Sequence, residues 1–511
     1  MSEAVPDYQL YWGDIHNHNR FVCGQGSLER SYEIAASHLD FYALTPHAQY
    51  CDGHAPDGYE LVKQNWTGIQ KTAAEYNRPG QFTTFLAYEW HSHQWGHYCV
   101  YYEDDHQPLH LAMTLERLQD YIRNHQRAIM VPHHIAYHNG IDWDLFEESI
   151  MPVIEIFSEH GCGERDGGPF AYLGHSLGPG GGRFNVQHGL GIGKRFGFTG
   201  GTDNHDGYPG GYGLGLTGVY AAQNTRPAIF EAIRARRTFA VTGDRIAVDF
   251  SADGAPMGST VSVNGGVNLS FSVEGWDTLR HVELIRNNLP VMQACPDFSV
   301  PAPTGVQTYR FRIEWGWGPM KGYQIYDWTG SITIDHGKLT HVVPCFRSDP
   351  FDEHRRKEIT GQDDQHCAWQ SHTSRGGIIT SRNSALACGP TDAIAIEIHG
   401  TQDTTIEIEL DCSTRQSIVS TPVDWSVNNA TDSKHLSTTL GQLLQGGQHL
   451  DFTDKMLTWA HVHRAVPSQL YRLSGSLRHA SAQGAAFYYV RATQDNGHMA
   501  WSSPIWISGG A

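Results

Sequence analysis

Apolar and polar positions change rhythm once along this chain. Up to about residue 245, short apolar runs alternate with helical patterns. Ser27 is placed as the N-cap of a helix over 28–38, with Glu29 in its first turn. A strand follows at 41–45, then a helix over 58–76, then strands at 82–88 and 97–102. Thr114 opens a helix over 115–125, in which Leu115, Leu118 and Ile122 share one face. Strands are predicted at 128–131, 153–157 and 196–199, and a helix begins with Pro227 at its first position. Such alternation predicts parallel β/α units in a barrel or open sheet, and the length suits a barrel.

Beyond Asp244 the runs shorten and alternate, as at 261–263, 267–273, 281–285, 332–334, 393–398 and 405–410, with Gly, Asn and Asp between them. The last runs are 486–492 and 504–507. This pattern predicts an all-β, sandwich-like domain. The expected organisation is therefore α/β followed by β: a metal-binding β/α barrel over residues 1–245 and a β-sandwich over 246–511. A long polar insertion is expected near 349–382, and a short helical excursion at 441–444.

Composition narrows the function. The 511 residues suffice for two or three domains. No apolar run approaches the roughly 20 residues that span a bilayer, and the first residues carry no basic stretch followed by an apolar one. The expectation is a cytoplasmic protein without membrane contact. The nine cysteines are odd in number and scattered, and none forms a Cys-x-x-Cys pair; this fits reduced thiols and argues against a thiolate zinc site. A formal charge of −18 argues against nucleic acid as a partner, because such binding relies on many cation–phosphate contacts. A small anionic substrate remains compatible with it. The 31 histidines exceed what packing needs, and more than half precede residue 210.

Several of these histidines fall just after apolar runs. His16 and His18 close the first, and at i, i+2 on a strand they would face the same way. His47, Glu89, the pair His133 and His134, then Glu159 and His160, and finally Asp203 and His205 follow later runs; His97 stands at a strand's start instead. In parallel α/β folds the strands' carboxyl ends carry the active site. Imidazole with carboxylate is a donor set for zinc, iron or manganese. Neighbouring ions can clamp both oxygens of a displacement and acidify water.

The ordered set His16-x-His18, His47, Glu89, His97, His133 and Asp203-x-His205 resembles the PHP (polymerase and histidinol phosphatase) superfamily over about residues 8–245. The resemblance implies a distorted (β/α)7 barrel with two or three divalent transition-metal ions (Mn, Zn or Fe). It implies that His16, His18, Glu89 and Asp203 hold one ion, His47 and His205 a second, and Glu89, His97 and His133 a third. Many members carry a further histidine after the His-x-His pair. Here the stretch reads Phe21-Val22-Cys23-Gly24-Gln25-Gly26, leaving Gln25 or Cys23 as a substitute, or a weak or empty second site. The closing residues 487–495 and 500–506 resemble the tails of larger relatives, among them the carbaryl-hydrolase group and an uncharacterised group that also carries a β-sandwich. The segments 26–29 and 237–243 resemble that second group as well.

The expected function is a metal-dependent hydrolase, with the phosphoester preference resting only on the superfamily resemblance. The alternatives are a carboxylic or carbamic ester hydrolase and a non-catalytic, metal-stabilised carbohydrate-binding protein. His160 and His134 are candidate acids for the leaving group. Arg20 is the foremost candidate for holding an anionic group, ahead of Arg165, Arg183, Lys194, Arg195 and Arg245. His91 and His93 read either as the site's rim or as loop residues. The glycine-rich stretches 178–184 and 207–215 are expected to rim the pocket.

Overall fold

The computed structural model describes residues 8–21, 24–51, 59–125, 127–173, 178–263, 265–316, 324–347, 356–374, 391–416, 431–453, 458–480 and 484–509. The chain divides into two compact units. The first holds Met1–Glu274, Arg280–Cys295 and Leu473–Ala511; the second holds Gly275–Leu279 and Pro296–Arg472. The boundary expected at 245/246 falls inside the first unit, because the chain's last strands return to it.

In the first unit the strands are β1 (Gln9–Asp14), β2 (Phe41–Leu44), β3 (His47–Tyr50), β4 (Thr83–Ser92), β5 (Gly96–Tyr102), β6 (Ala128–His133), β7 (Val153–Ser158), β8 (Gly161–Cys162), β9 (Gly197–Gly200), β10 (Leu216–Ala221) and β11 (Thr238–Val241). The helices among them are α1 (Leu28–His38), α2 (Tyr59–Tyr76), α3 (Leu115–Arg123), α4 (Val186–Gly191) and α5 (Arg226–Arg234). Helix α1 starts as expected, with the Ser27 hydroxyl accepting from the Arg30 amide at 3.2 Å.

The expected run of parallel β/α units is only partly present. β1, β2 and β4 are parallel neighbours, joined through α1 and α2. β4–β5 and β5–β6 are antiparallel, and so is β1–β10. For β4–β5 the reason is loop length. Only residues 93–95 separate β4 from β5, with Gly96 at φ +89°, and a parallel crossover needs a dozen residues or more. β7 pairs in parallel with β9 in a separate three-stranded sheet with β8. The strands are thus a mixed sheet beside a small one, not seven alike units.

The same face of β4, β5 and β6 is apolar at one end and polar at the other. Phe85 and Ala87, Tyr101 and Cys99, and Ile129 and Val131 belong to one buried core with Ile15, Phe41 and Val219. One or two positions further along that face stand Glu89 and His91, His97, and His133. The core therefore serves as the floor of the polar cluster.

The C-terminal runs extend this sheet. Strand 499–502 pairs antiparallel with β11, and strand 486–494 pairs with 499–502 and 505–509. Buried Glu164 ties them to the residues after β8. It accepts from Tyr489 Oη at 2.7 Å, Arg491 Nη1 at 2.8 Å and Trp501 Nε1 at 3.0 Å.

The second unit is built on a nine-stranded sheet whose longest members, Gln324–Cys345 and Thr391–Gln416, pair antiparallel. A separate four-stranded sheet, of strands 247–252, 255–256, 267–274 and 472–479, belongs to the first unit but for Arg472. The all-β texture beyond residue 245 is as expected. The polar stretch 349–382 is not one loop: strands Glu358–Gln362 and His366–Ser374 lie within it, and residues 349–355 and 375–382 fall outside the described residues. Its polarity misled because strand 358–362 buries little, so it lacks an apolar face. The helical excursion is Leu440–Gln445, closed by a Thr439–Gln442 capping box.

Candidate metal centre

Strand β1 ends at Asp14, so His16 and His18 lie on the loop beyond it rather than on the strand. They converge because the loop is pinned. Asp14 Oδ1 accepts from the amides of His16 (3.1 Å) and Thr202 (3.0 Å). Its Oδ2 accepts from the Thr202 hydroxyl (2.6 Å) and the Gly210 amide (2.9 Å). The His18 amide donates to Asn204 O at 2.9 Å. One buried carboxylate thus fastens the loop bearing His16 and His18 to the loop bearing Asp203 and His205.

Register places the next residues. Glu89 lies across from His47 on one side and from Cys99 on the other, His91 faces His97, and His97 faces His133. The position of His97 at a strand's start is thereby explained. β5 runs antiparallel to its neighbours, so its beginning lies beside their ends.

The result is a buried cluster around two carboxylates. Glu89 Oε2 lies 3.6 Å from His16 Nε2, 3.3 Å from His18 Nε2 and 3.1 Å from His47 Nε2. Its Oε1 lies 2.8 Å from His91 Nε2, 3.2 Å from His97 Nδ1 and 2.8 Å from His133 Nε2. Asp203 Oδ1 lies 3.3 Å from His16 Nε2 and 3.0 Å from His18 Nε2. Its Oδ2 lies 3.2 Å from Nε2 of both His134 and His160. His205 joins through His18, their rings stacked at 4.3 Å. Five groups of three or four donors have ligand atoms mutually within 4.8 Å; the largest is His16, Glu89, Cys99 and His133.

Two residues reach this cluster through left-handed backbone, Asp203 at φ +53° and His134 at φ +56°. Such strain in residues other than glycine is concentrated at functional sites. Adjacent residues of a strand face opposite ways, yet both His133 and His134 meet the cluster. β6 ends at His133, and the backbone turn brings the His134 ring back toward the cluster. Gly201 supplies room: a Cβ there would lie 2.5 Å from the His16 Cβ and 2.7 Å from Glu155 Oε2.

Around these stand further residues, of which Glu155 and Tyr137 were not singled out from the sequence. Glu155 Oε2 lies 2.7 Å from His16 Nδ1; burial lowers the pKa of this ring, but the charges of Asp203, Cys99 and Glu155 outweigh it and hold His16 well above its ordinary range. Tyr137 Oη donates to Leu173 O at 3.0 Å and therefore accepts from His160 Nδ1 at 2.8 Å, leaving the His160 Nε2 lone pair toward Asp203. Glu159 is buried and stands 3.7 Å from His205 Nδ1. His91 is buried in the cluster, whereas His93 is exposed. A strand longer than expected, running to Ser92, accounts for His91: it carries the alternation past Glu89.

Electrostatics favour bare ligands. Burial lowers the pKa of His18, His91, His133 and His134, and neighbouring imidazoles lower it further; His133 is pushed down to about 3. These rings are neutral and offer lone pairs. Burial opposes ionisation of Glu89, but the surrounding histidines outweigh it and hold the carboxyl well below its ordinary range. Burial also pushes Glu155 and Glu159 up to about 7. The donor set fits divalent transition metals: the buried Glu89 oxygens and His133 nitrogens make no well-formed hydrogen bond despite the short separations, as expected of atoms aimed at an ion.

The basic candidates stay outside. Arg20 is exposed, and among the described residues no contact joins its guanidinium to the cluster. Arg165 and Arg183 are exposed, Arg195 reaches Thr260, and Arg245 donates to His38 O. The Gln25 amide donates to His205 O at 2.7 Å, and Cys23 lies outside the described residues. Burial raises the pKa of the Cys162 thiol, the reverse of an activated nucleophile.

Among known proteins, the model of a family described as "Protein of unknown function (DUF3604)" matches residues 27–125 and 210–262. An uncharacterised protein of Chlamydia pneumoniae is 27% identical over 330 residues, covering 58% of this chain and 50% of its own length. An uncharacterised protein of Chlamydia muridarum is 28% identical over 326 residues, with the same coverage. The chain thus spans about half the length of these curated relatives. A solved two-domain protein from Bacteroides vulgatus, containing a predicted PHP-like metal-dependent phosphoesterase, is 18% identical. It covers 59% of this chain and 83% of its own, at a TM-score of 0.33. Among the described residues no helix is long and apolar enough to cross a membrane.

Proposed function

We propose that this chain is a metal-dependent hydrolase whose centre holds at least two divalent transition-metal ions and acts on a phosphoester. One observation carries the reading. The two oxygens of Glu89 face different sets of imidazoles, His16, His18 and His47 on one side and His91, His97 and His133 on the other. That is the arrangement of a carboxylate shared between ions. His16, His18 and Asp203 form one donor group beside Glu89, His18, His47 and His205 a second, and His16, Glu89, Cys99 and His133 a third; because the groups share residues, each shared ring would serve one ion only. Bound ions would acidify water and stabilise charge on the equatorial and leaving oxygens of a displacement.

The chain's own residues do the rest. Glu155 and Tyr137 hold Nδ1 of His16 and of His160 and so orient both rings. With its proton on Nδ1, His160 faces the cluster as an acceptor, so it serves as ligand or base rather than as the acid expected for the leaving group. Burial keeps His134 neutral, with its Nε2 at 3.2 Å from Asp203 Oδ2. Nothing in the site assigns Arg20 a part.

Among the described residues no arginine or lysine pairs with Glu89 or Asp203, which favours a second reading, a carboxylic or carbamic ester as substrate, since an uncharged ester needs no cation to hold it. Freshly purified protein should contain at least two transition-metal ions per chain by elemental analysis. Metal-depleted protein given manganese, zinc or iron should hydrolyse an aryl phosphate or phosphodiester faster than an aryl ester. Turnover of the ester alone would replace the first reading by the second. Bound metal with no turnover of any of the three would leave a metal-stabilised binding protein.

A further inference from the structure

We propose that Cys99 supplies a sulfur ligand to the centre, so that the ion it touches is zinc or ferrous iron rather than manganese. The inference rests on the metal-centre reading and deepens it. Residues 97, 99 and 101 of β5 alternate onto the face that holds the cluster. Cys99 is directly opposite Glu89 in register, which places the two Cβ atoms roughly 4.5–5.5 Å apart. A donor atom from each of Cys99, His16, Glu89 and His133 lies within 4.8 Å of the other three. All four side chains are buried, none more than 1% exposed.

The ordinary role of a buried cysteine is that of a small apolar filler, and Cys99 does border the core beneath the site. A filler, however, has apolar neighbours. On its cluster side Cys99 meets a carboxylate and two imidazoles. The buried oxygens of Glu89 and the nitrogens of His133 lack well-formed hydrogen bonds, so they point to a missing common partner. Two nitrogens, one oxygen and one sulfur make a four-donor set of the kind zinc takes in tetrahedral sites. Thiolate sulfur selects zinc and iron, whereas manganese prefers oxygen donors. A thiol that coordinates is deprotonated, and its proton leaves to solvent as the ion binds. The absence of any Cys-x-x-Cys pair does not bear on this site, because its sulfur stands alone among histidines and a glutamate.

Cobalt(II) reports the ligand directly. The full-length chain, carrying Cys295→Ser to remove an exposed thiol, is depleted of metal and titrated with cobalt(II) while its absorption spectrum is recorded. The expected result is visible ligand-field bands together with a near-ultraviolet thiolate-to-cobalt charge-transfer band. Adding Cys99→Ser should leave the ligand-field bands and abolish the charge-transfer band. Zinc should then lose at least tenfold in affinity while manganese changes little. Ligand-field bands without charge transfer in the parent protein, or a charge-transfer band surviving in Cys99→Ser, overturns the sulfur ligand and leaves the metal centre standing. No cobalt spectrum at all overturns both. Should Cys99→Ser fail to fold, the parent spectrum and the same titration of Cys99→Ala decide the matter.

Discussion

In the second unit Arg310 meets Glu397 at 2.6 Å and Lys357 meets Asp392 at 2.9 Å, with all four side chains less than a tenth exposed. In the first unit Glu89, Glu155 and Asp203 are buried as deeply, yet every ion pair they make among the described residues comes from histidine. Guanidinium and ammonium keep their charge when buried beside a carboxylate. Crowded imidazoles do not, and burial drives several of these to the neutral form. The difference is local to the centre. Elsewhere in the first unit Glu164 and Glu283 share Arg491 at 2.7–2.8 Å, as ordinary buried charges do. A chain that pairs its buried carboxylates with permanent cations in one place and with lone pairs in another has left the second set to be neutralised from solution.

Two substitutions separate these cases most widely. Glu89→Gln should reduce turnover by a factor on the order of 100 or more and lower the bound metal, since even outer-shell partners of ligands matter by 10–100-fold. In metal-depleted protein the same change should cost less stability than Arg310→Met, because the imidazoles that hold the Glu89 carboxyl below its ordinary range carry no permanent charge. Arg310→Met should do the opposite. It leaves buried Glu397 with only Thr340, at 2.7 Å, and the exposed His341, at 2.9 Å, against it, at a cost of about 3 kcal/mol, while the metal content stays unchanged. Pairing Arg310→Met with Glu397→Leu should recover most of that loss. Denaturant unfolding with and without chelator reads all of these. A Glu89→Gln apoprotein destabilised as much as Arg310→Met would show the two kinds of burial to be alike.

The residues of the centre were far more legible than the sheet that holds them. Histidines and acids after apolar runs are conspicuous in a sequence, so His16, His18, His47, Glu89, His97, His133, Asp203 and His205 could be picked out, and the structure brings them together. Strand direction is not conspicuous. A three-residue link between β4 and β5 reads from sequence like any other short loop, yet it reverses the chain and turns parallel units into antiparallel pairs. Glu155 and Tyr137 were invisible because each acts through another residue and sits in an unremarkable apolar stretch. The return of the last strands to β11 was invisible for a related reason: pairing between residues some 260 positions apart leaves no local trace. Arg20 is a different case: it stands two residues past the ligand motif and is exposed, so closeness in sequence says little about where its side chain acts.

Asp14 sharpens the comparison at intermediate scale. Its four hydrogen bonds come from uncharged donors on two loops, so it fixes geometry without neutralising anything. Asp14→Asn keeps the shape but replaces one acceptor oxygen with a donor that faces other donors. The expected outcome is a metal affinity roughly 10–100-fold weaker, within the range seen for outer-shell changes. Isothermal titration of depleted protein with zinc measures it. An unchanged affinity would mean that the two loops hold their places without this residue.

The smallest effect tests the ordinary side of the comparison. Burial alone would raise the pKa of Glu314, but hydrogen bonds from His463, at 2.9 Å, and from Thr391 outweigh it, with the charges of His463 and Arg312 adding to them. The carboxyl is held at about 2 against an ordinary 4.5. Its pKa is thus lower folded than unfolded, so its stabilisation is complete above about pH 4.5 and fades as the pH falls toward 2. With the side chain a quarter exposed, solvent screening trims the contribution to on the order of 1–2 kcal/mol. His463→Gln should therefore lower the unfolding midpoint at pH 6 and bring it closer to that of the parent as the pH approaches 2. A gap that stays constant across that range would mean that the carboxylate is not what His463 stabilises.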